Sequence, residues 1–517
     1  MPPSIVAKNP ATFEELGTLQ AATPQEVARL VEEARKAHPA WAALSYSERG
    51  KYLLKAREYL LDHVDEIARV ISEDNGKPLV EALSSDILPI CDLLAYFAKN
   101  TEKLLKPEKI PIGLMGVLGR KSKLYYQPLG LVGIVSPWNF PFSIPTGGTA
   151  MALMAGNCVL LKPADATPLV GLKIEEIFRA SGLPPGVFTH LPGGAETGEA
   201  LVTSAIDKVV FTGSVRVGKR IMELCAKNLT PCTLELGGKD PMIVCHDADL
   251  ENAVQGAVWG AFCNAGQVCA SVERVYVDER IAPVFIEKVV EKTQRLKQGP
   301  GTDPNHDVGP LTTEAQLRIV EEQVEDARRN GAKILTGGER NHELKGNFFK
   351  PTVLTEVDHR FRCMREETFG PLMPIMTFKT EEEAVALAND SIYGLTASVW
   401  TVDSKRGERI AQKLRAGTVA VNECTYMYYM CQTPWGGVKD SGFGRTHGKV
   451  GLHELVHLQH VHENMFPRFP DFWWYGYDAR LYETFKSLCR NMTGTVWEKT
   501  KGVVSVLGAT LRKKRSP

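Results

Sequence analysis

Cys269 lies in a stretch of small and polar residues that runs from Phe262 to Ser271. A buried cysteine is most often an unreactive small side chain, and that interpretation stays open for each of the 11 cysteines of the chain. A cysteine that only packs would normally lie in an aliphatic run, whereas this stretch leaves room for a substrate and supplies backbone amides. The setting therefore favours a thiolate that attacks a carbonyl carbon and forms a covalent intermediate.

Glu235 stands between two leucines and ahead of two glycines, in the segment Leu234–Asp240. One interpretation is a surface carboxylate at the end of a strand. The other is a carboxyl whose apolar walls raise its pKa, so that it can take a proton from water or from a thiol near neutral pH. In the second case the segment offers a general base.

Asn139 is the amide of the segment Pro137–Pro141, in which the other side chains are prolines, a tryptophan and a phenylalanine. A structural turn is the simpler interpretation. An amide that is held rigidly in this setting could instead donate a hydrogen bond to the oxyanion that develops when a carbonyl is attacked. Such donors supply the largest common electrostatic contribution to acyl chemistry.

The size and composition of the chain are those of a globular protein with two or three domains. Its 517 residues are 44% hydrophobic and 24% charged, and its 61 basic side chains are matched by 61 acidic ones. This balance lacks the clustered positive surplus that a nucleic-acid partner would require. The cysteines form no CxxC pair, the N-terminus has no signal-peptide pattern, and no apolar stretch approaches about 18 residues. These features favour a cytoplasmic location.

Two amphipathic helices are predicted near the N-terminus. Thr23 is suited to cap the first helix, with Pro24 at its first position and Glu26 reaching back to the cap. A single second helix is predicted from the apolar period between Leu53 and Ile71, and an Asn-Gly pair ends it.

From about Leu129, short apolar runs bounded by Gly and Pro alternate with helix-like stretches. Such runs are typical of buried parallel strands, and the alternation predicts a doubly wound α/β domain. A second series from about Leu250 predicts another α/β domain packed closely against the first, since no low-complexity linker separates them. The predicted strands are Leu131–Val135, Val159–Leu161, Val187–Leu191, Val209–Phe211, Met242–Val244, Arg274–Val277, Lys333–Leu335, Val353–Thr355, Leu372–Thr377 and Val419–Val421. The predicted helices are Val170–Ala180, Val217–Leu229, Pro283–Leu296 and Glu314–Asn330.

The chain resembles the aldehyde dehydrogenase superfamily in seven motifs that follow one another in the family's order, over roughly residues 8 to 462. Glu235 and Cys269 are 34 residues apart (269 − 235), as the family usually has them. Each motif alone would be weak evidence, but seven in sequence make chance agreement negligible. The motifs are Pro137–Pro141, Lys162–Ala164, Phe211–Ser214, Leu234–Lys239, the stretch around Cys269, Glu366–Pro371 and Pro434–Gly442.

The resemblance implies a nicotinamide-dependent enzyme that oxidises an aldehyde to a carboxylic acid. Cys269 matches the family's nucleophile, and Asn139 together with the backbone N–H of Cys269 matches its oxyanion hole. The tetrahedral thiohemiacetal is then expected to expel hydride to the nicotinamide ring and leave a thioester. Glu235 matches the base that activates water to hydrolyse this thioester, which argues for water over coenzyme A as the acyl acceptor.

The resemblance also implies where the cofactor, NAD with NADP as the alternative, would bind. Asp165 stands where many NAD-preferring relatives carry Glu, and an acid there could bond the ribose 2′-hydroxyl and repel a 2′-phosphate. Its shorter side chain leaves dual specificity open. The helix after Gly213 is expected to face the pyrophosphate, while Lys162 and Glu367 match residues that contact the two riboses. The expected cofactor-binding residues are Trp138, Lys162, Asp165, Gly213, Ser214, Gly218, Glu367 and Phe369.

The expected architecture has two doubly wound parallel-sheet domains and a small antiparallel flap that pairs between subunits of a homodimer or homotetramer. The expected boundaries are 1–114 and 131–236 for the dinucleotide-binding domain, 237–450 for the catalytic domain, 115–130 with 451–462 for the flap, and 463–517 for a C-terminal extension. The bulky, apolar loop Cys424–Cys431 resembles the family's substrate-pocket loop. It favours a hydrophobic or aromatic aldehyde, with ordinary core packing as the alternative.

The segment His453–His457 satisfies the HExxH pattern of zinc hydrolases and is the main competing prediction. On a helix the two histidines would share a face, and Glu454 could activate a zinc-bound water. The segment coincides, however, with the family's closing strand and its lead-in. Strand geometry would hold His453 and His457 too far apart for one ion, so no metal site is expected.

The extension after about Val461 differs from the rest of the chain. Phe466–Tyr477 is crowded with aromatic residues, Ala479–Met492 has helical apolar spacing, and Gly494–Pro517 holds six basic residues against one acidic residue. A basic amphipathic tail could lie on an anionic membrane surface, which also leaves open a membrane-associated protein of this fold without catalysis. The alternative is aromatic packing against a neighbouring subunit.

Overall fold

The computed structural model describes residues 3–468, 471–491 and 494–513. The chain forms two compact units, one from Met1–Leu104 with Pro128–Val456 and the other from Leu105–Gln127 with His457–Pro517. Both large sheets, and all residues expected for the dehydrogenase chemistry and for cofactor binding, belong to the first unit. The finer domain boundaries expected from the sequence remain a prediction.

The strands of the described residues form four sheets. In chain order the first ten are β1 (Ser4–Lys8), β2 (Glu15–Gln20), β3 (Glu108–Lys109), β4 (Arg120–Pro128), β5 (Leu131–Val135), β6 (Cys158–Lys162), β7 (Phe188–His190), β8 (Lys208–Thr212), β9 (Cys232–Glu235) and β10 (Pro241–Val244). The others are β11 (Arg274–Asp278), β12 (Lys333–Thr336), β13 (Thr352–Thr355), β14 (Leu372–Phe378), β15 (Thr396–Trp400), β16 (Thr418–Val421), β17 (Gly442–Phe443) and β18 (Val456–Asn464).

Helices connect and cover these strands. The first ten are α1 (Pro24–Ala42), α2 (Tyr46–Asp62), α3 (Val64–Asn75), α4 (Leu79–Glu81), α5 (Leu88–Leu104), α6 (Leu114–Val117), α7 (Ser143–Met154), α8 (Pro168–Ala180), α9 (Ala195–Thr203) and α10 (Val215–Asn228). The others are α11 (Leu250–Phe262), α12 (Ala282–Gln294), α13 (Glu314–Arg329), α14 (Arg362–Arg365), α15 (Glu381–Asn389), α16 (Ser404–Ala411), α17 (Gly448–His453), α18 (Ala479–Asn491) and α19 (Val496–Lys513). A π-helical turn, Ala82–Ile87, joins α4 to α5.

The N-terminal helices form as the local sequence predicts, with one difference. The capping box before α1 is confirmed, because the Thr23 side chain accepts a bond from the Glu26 backbone and the Glu26 side chain returns one. The prediction of a single second helix is wrong, because two helices, α2 and α3, cover this stretch. His63 leaves helical geometry (φ −118, ψ 22) and separates α2 from α3. The apolar period runs through the break because both helices bury one face.

The six-stranded sheet has the order β17-β9-β8-β5-β6-β7 and is parallel except for β17. The chain adds β6 and β7 on one side of β5 and then β8 and β9 on the other. In a doubly wound sheet, the loops at the carboxyl ends of the two strands at such a switch form a binding crevice. Here these are the loops after β5 and β8.

The seven-stranded sheet has the order β12-β13-β14-β11-β10-β15-β16 and is parallel except for the pair β12–β13. Most of its strands match predicted apolar runs. The strand β15 was missed because Thr396 and Ser398 interrupt its apolar pattern, although all five of its residues are buried. The hydroxyl of Thr396 donates to Asp240 Oδ2 at 2.6 Å, so a local bond satisfies this polar group. The predicted fold class, two parallel α/β sheets with a small antiparallel sheet, is confirmed.

The second unit contains the three-stranded sheet β18-β4-β3 and the helices α18 and α19. The helix predicted in the extension is confirmed from Ala479 to Asn491, while Met492 lies outside the described residues. The hydrophobic core of the second unit consists of Phe472, Leu481, Leu488 and Val506, with Leu118 and Trp473 packed against them. Among the described residues, no helix combines the length and the apolar character that a bilayer crossing requires.

Candidate active site

The carboxyl edge of the six-stranded sheet carries four of the predicted site residues. Lys162 ends β6 and Glu235 ends β9, where it pairs in register with Thr212 of β8. Asn139 and Gly213 lie in the loops that follow β5 and β8. The sequence therefore places these side chains at the crevice of a doubly wound sheet.

The amino edge of the seven-stranded sheet supplies the remaining residues. Cys269 precedes β11, and Glu367 precedes β14. Gly238, in the loop between the sheets, is so close to Cys269 that an added Cβ would lie 2.7 Å from its carbonyl oxygen. The loop Gly237–Lys239 thus joins the two edges and brings Cys269 near the end of β9.

Cys269 lines a cavity together with Glu235, Tyr428 and Trp435. The cavity wall is completed mainly by aliphatic side chains, which are Ile134, Ile144, Met151, Val210, Leu236 and Leu395. Burial raises the pKa of the Cys269 thiol above its usual range, and the carboxyls of Asp240, Glu367 and Glu235 raise it further. The thiol is therefore protonated in this structure, and it must lose its proton before it can attack.

Glu235 is only 5% exposed, and neither of its carboxyl oxygens has a hydrogen-bond partner among the residues that the structure describes. Burial raises its pKa well above the usual range; Glu454 also raises it, while Arg445 opposes the shift. Gly436 leaves space for this carboxyl, because a Cβ there would lie 2.9 Å from Glu235 Oε1. An unpartnered acid of this kind is suited to exchange protons with a small molecule in the cavity.

Hydrogen bonds fix both the side chain and the backbone carbonyl of Asn139. Its side-chain Nδ2 donates to the carbonyl of Gln267 at 3.0 Å, two residues before Cys269. Its own carbonyl accepts bonds from Asn264 Nδ2 and Lys77 Nζ, both at 2.9 Å. The amide thus holds one orientation and keeps its second N–H for another acceptor.

Lys77 and Asp86 form an ion pair of 2.6 Å in which both side chains are fully buried. Lys77 Nζ also lies 4.1 Å from the centroid of the Phe140 ring. No local pattern in the sequence indicates Lys77, because its contact with Asn139 spans 62 residues. Lys77 therefore anchors the loop that carries the predicted oxyanion donor.

Lys77→Met should lower the free energy of unfolding by about 3–5 kcal/mol, because it leaves the Asp86 carboxylate buried without its counter-charge. Urea denaturation followed by circular dichroism measures this loss. The matched control is Arg29→Met, which breaks an exposed pair with Glu33 (60% and 48% exposed) and should cost less than about 1 kcal/mol. Equal losses in the two variants would contradict the assigned role.

Glu273, the residue before β11, positions the segment that carries Glu367 and Phe369. Its carboxylate accepts backbone bonds from Thr368 and Phe369, both at 2.9 Å, and a 2.5 Å ion pair from Lys239. Glu273 is another residue that the sequence did not suggest. Its contacts join three separate segments, so no local pattern could reveal it.

Glu367 and Phe369 face the loops that carry the other predicted residues. Glu367 Oε1 accepts a bond from the backbone of Gly238 at 3.1 Å, and burial raises the pKa of Glu367 to about 8. The ring of Phe369 packs edge-on against Trp138, with 5.4 Å between the ring centroids. Trp138 and Phe369 thus form an aromatic wall beside the segment of Glu367.

A second group of predicted residues lies at or just after the carboxyl ends of strands in the six-stranded sheet. Its members are Lys162, Asp165, Gly213, Ser214 and Gly218. Ser214 caps α10, and a Cβ at Gly218 would lie 2.5 Å from Leu236 Cδ2, so glycine lets the helix approach β9 closely. Lys162 Nζ donates to the carbonyl of Gly193 at 2.9 Å, and Asp165 is exposed near Gly194. A helix N-terminus, a cation and an exposed carboxylate fit a diphosphate and a ribose, so these residues fit the expected dinucleotide.

The HExxH segment does not form the single helix that a zinc hydrolase requires. The helix α17 ends at His453, and His457 lies within β18. Glu454 Oε2 accepts bonds from Lys208 Nζ at 3.0 Å and from the Thr233 hydroxyl at 3.3 Å. In the described residues this acid is thus committed to an ion pair at the end of the six-stranded sheet, and the geometry gives the zinc interpretation no support.

The loop Cys424–Cys431 supplies part of the wall around Cys269. Tyr428 lines the cavity, its ring lies edge-on to Trp435 at 5.3 Å, and Met427 and Met430 pack in the same cluster. The loop therefore contributes large apolar and aromatic surfaces next to the thiol.

Comparisons with known proteins agree with this geometry. The family model described as "Aldehyde dehydrogenase family" matches residues 3–461, and the extension beyond lies outside that match. The chain is 38% identical over 485 residues to 4,4'-diapolycopene aldehyde oxidase from a Methylomonas species, which covers 93% of this chain and 90% of that protein. It is 38% identical over 466 residues to betaine aldehyde dehydrogenase from Bacillus subtilis, which covers 89% and 94% of the two chains.

The fold is likewise similar to solved structures. The NAD+ complex of an aldehyde dehydrogenase from Bacillus cereus superposes with a TM-score of 0.86 at 36% sequence identity, covering 89% of this chain and 93% of that chain.

Proposed function

Because this chain belongs to the aldehyde dehydrogenase family, we propose that it oxidises a hydrophobic or aromatic aldehyde to the carboxylic acid by covalent catalysis at Cys269. The observation that carries the proposal is one cavity, lined by both the Cys269 thiol and the unpartnered carboxyl of Glu235. A nucleophile and a proton acceptor must face the same substrate carbon, and these two groups share that space.

The first step joins the sulfur of Cys269 to the aldehyde carbon. The thiol proton leaves to a base or to water, the sulfur lone pair forms the C–S bond, and the carbonyl π electrons move to oxygen. The free N–H of the Asn139 side chain and the backbone N–H of Cys269 would stabilise the resulting oxyanion. The bond from Asn139 Nδ2 to Gln267 orients the amide for this purpose.

NAD would be held by the residues that the sequence assigned to it. The helix α10 N-terminus with Gly213, Ser214 and Gly218 would face the diphosphate, and Lys162 and Asp165 the adenosine ribose. Glu367, Trp138 and Phe369 would surround the nicotinamide end. The nicotinamide ring, when bound, supplies the hydride acceptor for the oxidation. The charge of Asp165 disfavours a 2′-phosphate, so NAD is proposed over NADP.

Hydrolysis of the thioester releases the acid. Glu235, as the carboxylate, would take a proton from the water that attacks the thioester carbon. The C–S bond then breaks, and its electron pair returns to Cys269. The raised pKa of Glu235 makes the carboxylate a stronger base than an exposed glutamate.

The aldehyde class follows from the cavity wall. Tyr428, Trp435 and the aliphatic side chains around Cys269 favour apolar contact with the substrate. The relatives named above are named for diapolycopene aldehyde and for betaine aldehyde. These two names belong to different classes of aldehyde, so the proposed preference for an apolar aldehyde rests on the residues that line this chain's cavity.

A panel of aldehydes assayed with NAD and NADP tests the proposal. We expect NADH formation with kcat/KM at least about tenfold higher for benzaldehyde or decanal than for a short aldehyde that bears a carboxylate, since each buried CH2 adds about 0.8 kcal/mol. NAD should be used better than NADP. No aldehyde-dependent absorbance at 340 nm with either cofactor would overturn the function, while a preference for the carboxylate-bearing aldehyde would overturn only the substrate class.

The chain is also proposed to assemble as a homodimer or homotetramer. In the described part of the second unit, β18 is an edge strand of its sheet, and all of its residues except the first and last are exposed. An exposed edge is a template for strand pairing with another chain. A light-scattering mass near the 57.0 kDa of one chain would contradict this assembly.

The extension is proposed to make peripheral contact with an anionic membrane. Tyr475 is 90% exposed and Trp497 is 69% exposed, and the segment Gly494–Pro517 carries six basic residues against one acidic residue. Exposed aromatic rings beside a surplus of positive charge are typical of segments that lie at lipid headgroups. Packing of these rings against a neighbouring subunit is the competing explanation.

Co-sedimentation with vesicles should separate the two explanations. The full chain should bind phosphatidylserine vesicles at low salt and lose most of that binding at about 0.5 M salt. It should not co-sediment with phosphatidylcholine vesicles. The double variant Tyr475→Ser, Trp497→Ser should bind several-fold less. The control Phe13→Ser, which changes an aromatic residue that is 48% exposed in the first unit, should bind normally. No sedimentation with the anionic vesicles at low salt would contradict membrane contact.

A further inference from the structure

The cavity of Cys269 and Glu235 is also lined by Thr446 and His447, for which the chemistry above has no role. The hydroxyl oxygen of Thr446 and the Nδ1 atom of His447 are buried and have no hydrogen-bond partner in the described part of the chain. The same holds for both carboxyl oxygens of Glu235. A buried polar atom without any partner costs about 1–3 kcal/mol, so four of them around one cavity point to a bound polar molecule.

The backbone holds Thr446 next to Glu235. Thr446 and Trp435 exchange two backbone hydrogen bonds, of 2.8 and 2.9 Å. The next residue after Trp435 is Gly436, and a Cβ there would meet Glu235 Oε1 at 2.9 Å. The segment Trp435–Gly436 thus contacts Thr446 through its backbone and adjoins the Glu235 carboxyl, which keeps the two residues on neighbouring parts of the cavity wall.

The protonation of the His447 ring follows from its contacts. The ring bonds to the backbone of Tyr428, and because Nδ1 has no partner among the described residues, Tyr428 included, this bond uses Nε2. Burial lowers the pKa of His447 to about 4, and the bond to the Tyr428 backbone opposes this shift only in part. A bond that opposes the shift stabilises the protonated ring, as expected when Nε2–H donates to a carbonyl oxygen. The ring is therefore neutral at physiological pH, with its hydrogen on Nε2 and a free lone pair on Nδ1.

The backbone of His447 is strained. Its φ is 59°, in the region that favours glycine, although the residue carries a large side chain. Such strain costs on the order of 1–3 kcal/mol and collects at functional sites, where the surrounding structure holds it in place. The strained backbone places the imidazole ring on the cavity wall, 4.7 Å from the ring of Tyr428.

We propose that Glu235, Thr446 and His447 together hold the water molecule that cleaves the thioester on Cys269. The inference rests on the proposed function and assigns Thr446 and His447 as positioning residues. A water molecule has two hydrogens and two lone pairs. It donates one hydrogen to the Glu235 carboxylate and the other to His447 Nδ1, and it accepts a bond from the Thr446 hydroxyl. Its second lone pair is then left to attack the thioester carbon.

The step balances without a further reactant. The water oxygen forms a bond to the acyl carbon, and its proton passes to Glu235. The C–S bond breaks, its electron pair goes to the sulfur of Cys269, and the proton held by Glu235 returns to that sulfur. The products are the carboxylic acid and the free thiol.

The test uses an activated ester and no dinucleotide. 4-Nitrophenyl acetate should acylate Cys269 and release a burst of nitrophenolate, after which hydrolysis of the acyl-enzyme sets the steady rate. In Thr446→Val and His447→Leu the burst should remain. The steady rate should fall roughly 10- to 100-fold, the effect of losing one hydrogen bond to a reacting group. The acetyl adduct on Cys269 should accumulate, as measured by mass spectrometry.

Two further readouts distinguish positioning of water from a packing role. A slower hydrolysis step lowers kcat and KM together and leaves kcat/KM for the ester unchanged. The conservative variants Thr446→Ser and His447→Asn keep a hydroxyl and an acceptor near Nδ1, so they should recover most of the steady rate. The control Thr149→Val removes another buried, unpartnered hydroxyl that does not line this cavity, and it should leave both phases unchanged.

Each outcome decides one question. Wild-type steady rates in Thr446→Val and His447→Leu would overturn the proposal. A His447→Asn variant as slow as His447→Leu, with kcat/KM reduced as well, would also overturn it in favour of packing. A normal burst in Cys269→Ala would instead overturn the proposed function, because the acyl group would then not be on that thiol.

Discussion

Cys269→Ala is expected to lower aldehyde oxidation by at least about 10⁴-fold, because the reaction then has no sulfur on which to form the thioester. The NADH assay at 340 nm measures the loss. The substitution removes one sulfur atom from a residue beside a cavity, so the chain should keep its fold and its affinity for NAD. A fluorescence titration with NAD separates lost chemistry from lost binding.

The control for this prediction is Cys91→Ala, which truncates a buried cysteine on α5 that does not line the cavity. It should alter the free energy of unfolding but not the turnover of folded protein. Cys269→Ser should remain as inactive as the alanine variant, since a hydroxyl is a much weaker nucleophile than a thiol near neutral pH. Turnover in Cys269→Ala within tenfold of the wild type would reject Cys269 as the nucleophile.

The parallel cores could be predicted because burial on both faces leaves a local mark. The strands β5, β6 and β10 are buried at every position, and each reads as an apolar run in the sequence. The break at His63 and the strand β15 left no such mark. In the first case the apolar period continued across the break, and in the second a tertiary bond to Asp240 allowed a threonine in a buried strand.

The same difference separates the parts of the site. Cys269, Glu235 and Asn139 could be picked out because each lies in a segment of unusual local composition. Lys77 and Glu273 could not, because their roles come from contacts with Asn139 and Phe369 that span 62 and 96 residues. His447 was missed for a related reason: the unpartnered state of a ring nitrogen is a property of the folded cavity.

Glu235→Gln is expected to stop the reaction after one turnover. Burial raises the pKa of Glu235 well above its usual range and so favours the neutral acid, and glutamine has nearly the same shape and charge as that form. The variant should therefore fold and form the thioester normally. It cannot accept a proton from water, so hydrolysis should slow by about 10²–10⁴-fold. Rapid mixing should give one NADH per active site, and mass spectrometry should find the acyl group on Cys269.

The pH profile supplies the control for Glu235. Because the pKa is raised, the carboxylate appears only as the pH rises, so the hydrolysis rate of the wild type should climb with pH while Glu235→Gln should not follow it. Arg445 and Glu454 are the charged groups that act on this carboxyl in opposite directions. Asp74→Asn is the matched variant, since burial raises the pKa of Asp74 to about 7 at a site where the carboxyl serves only the backbone of Leu169 and Val170. The Asp74→Asn variant should keep the wild-type pH profile. Full steady-state turnover in Glu235→Gln would show that another group is the base.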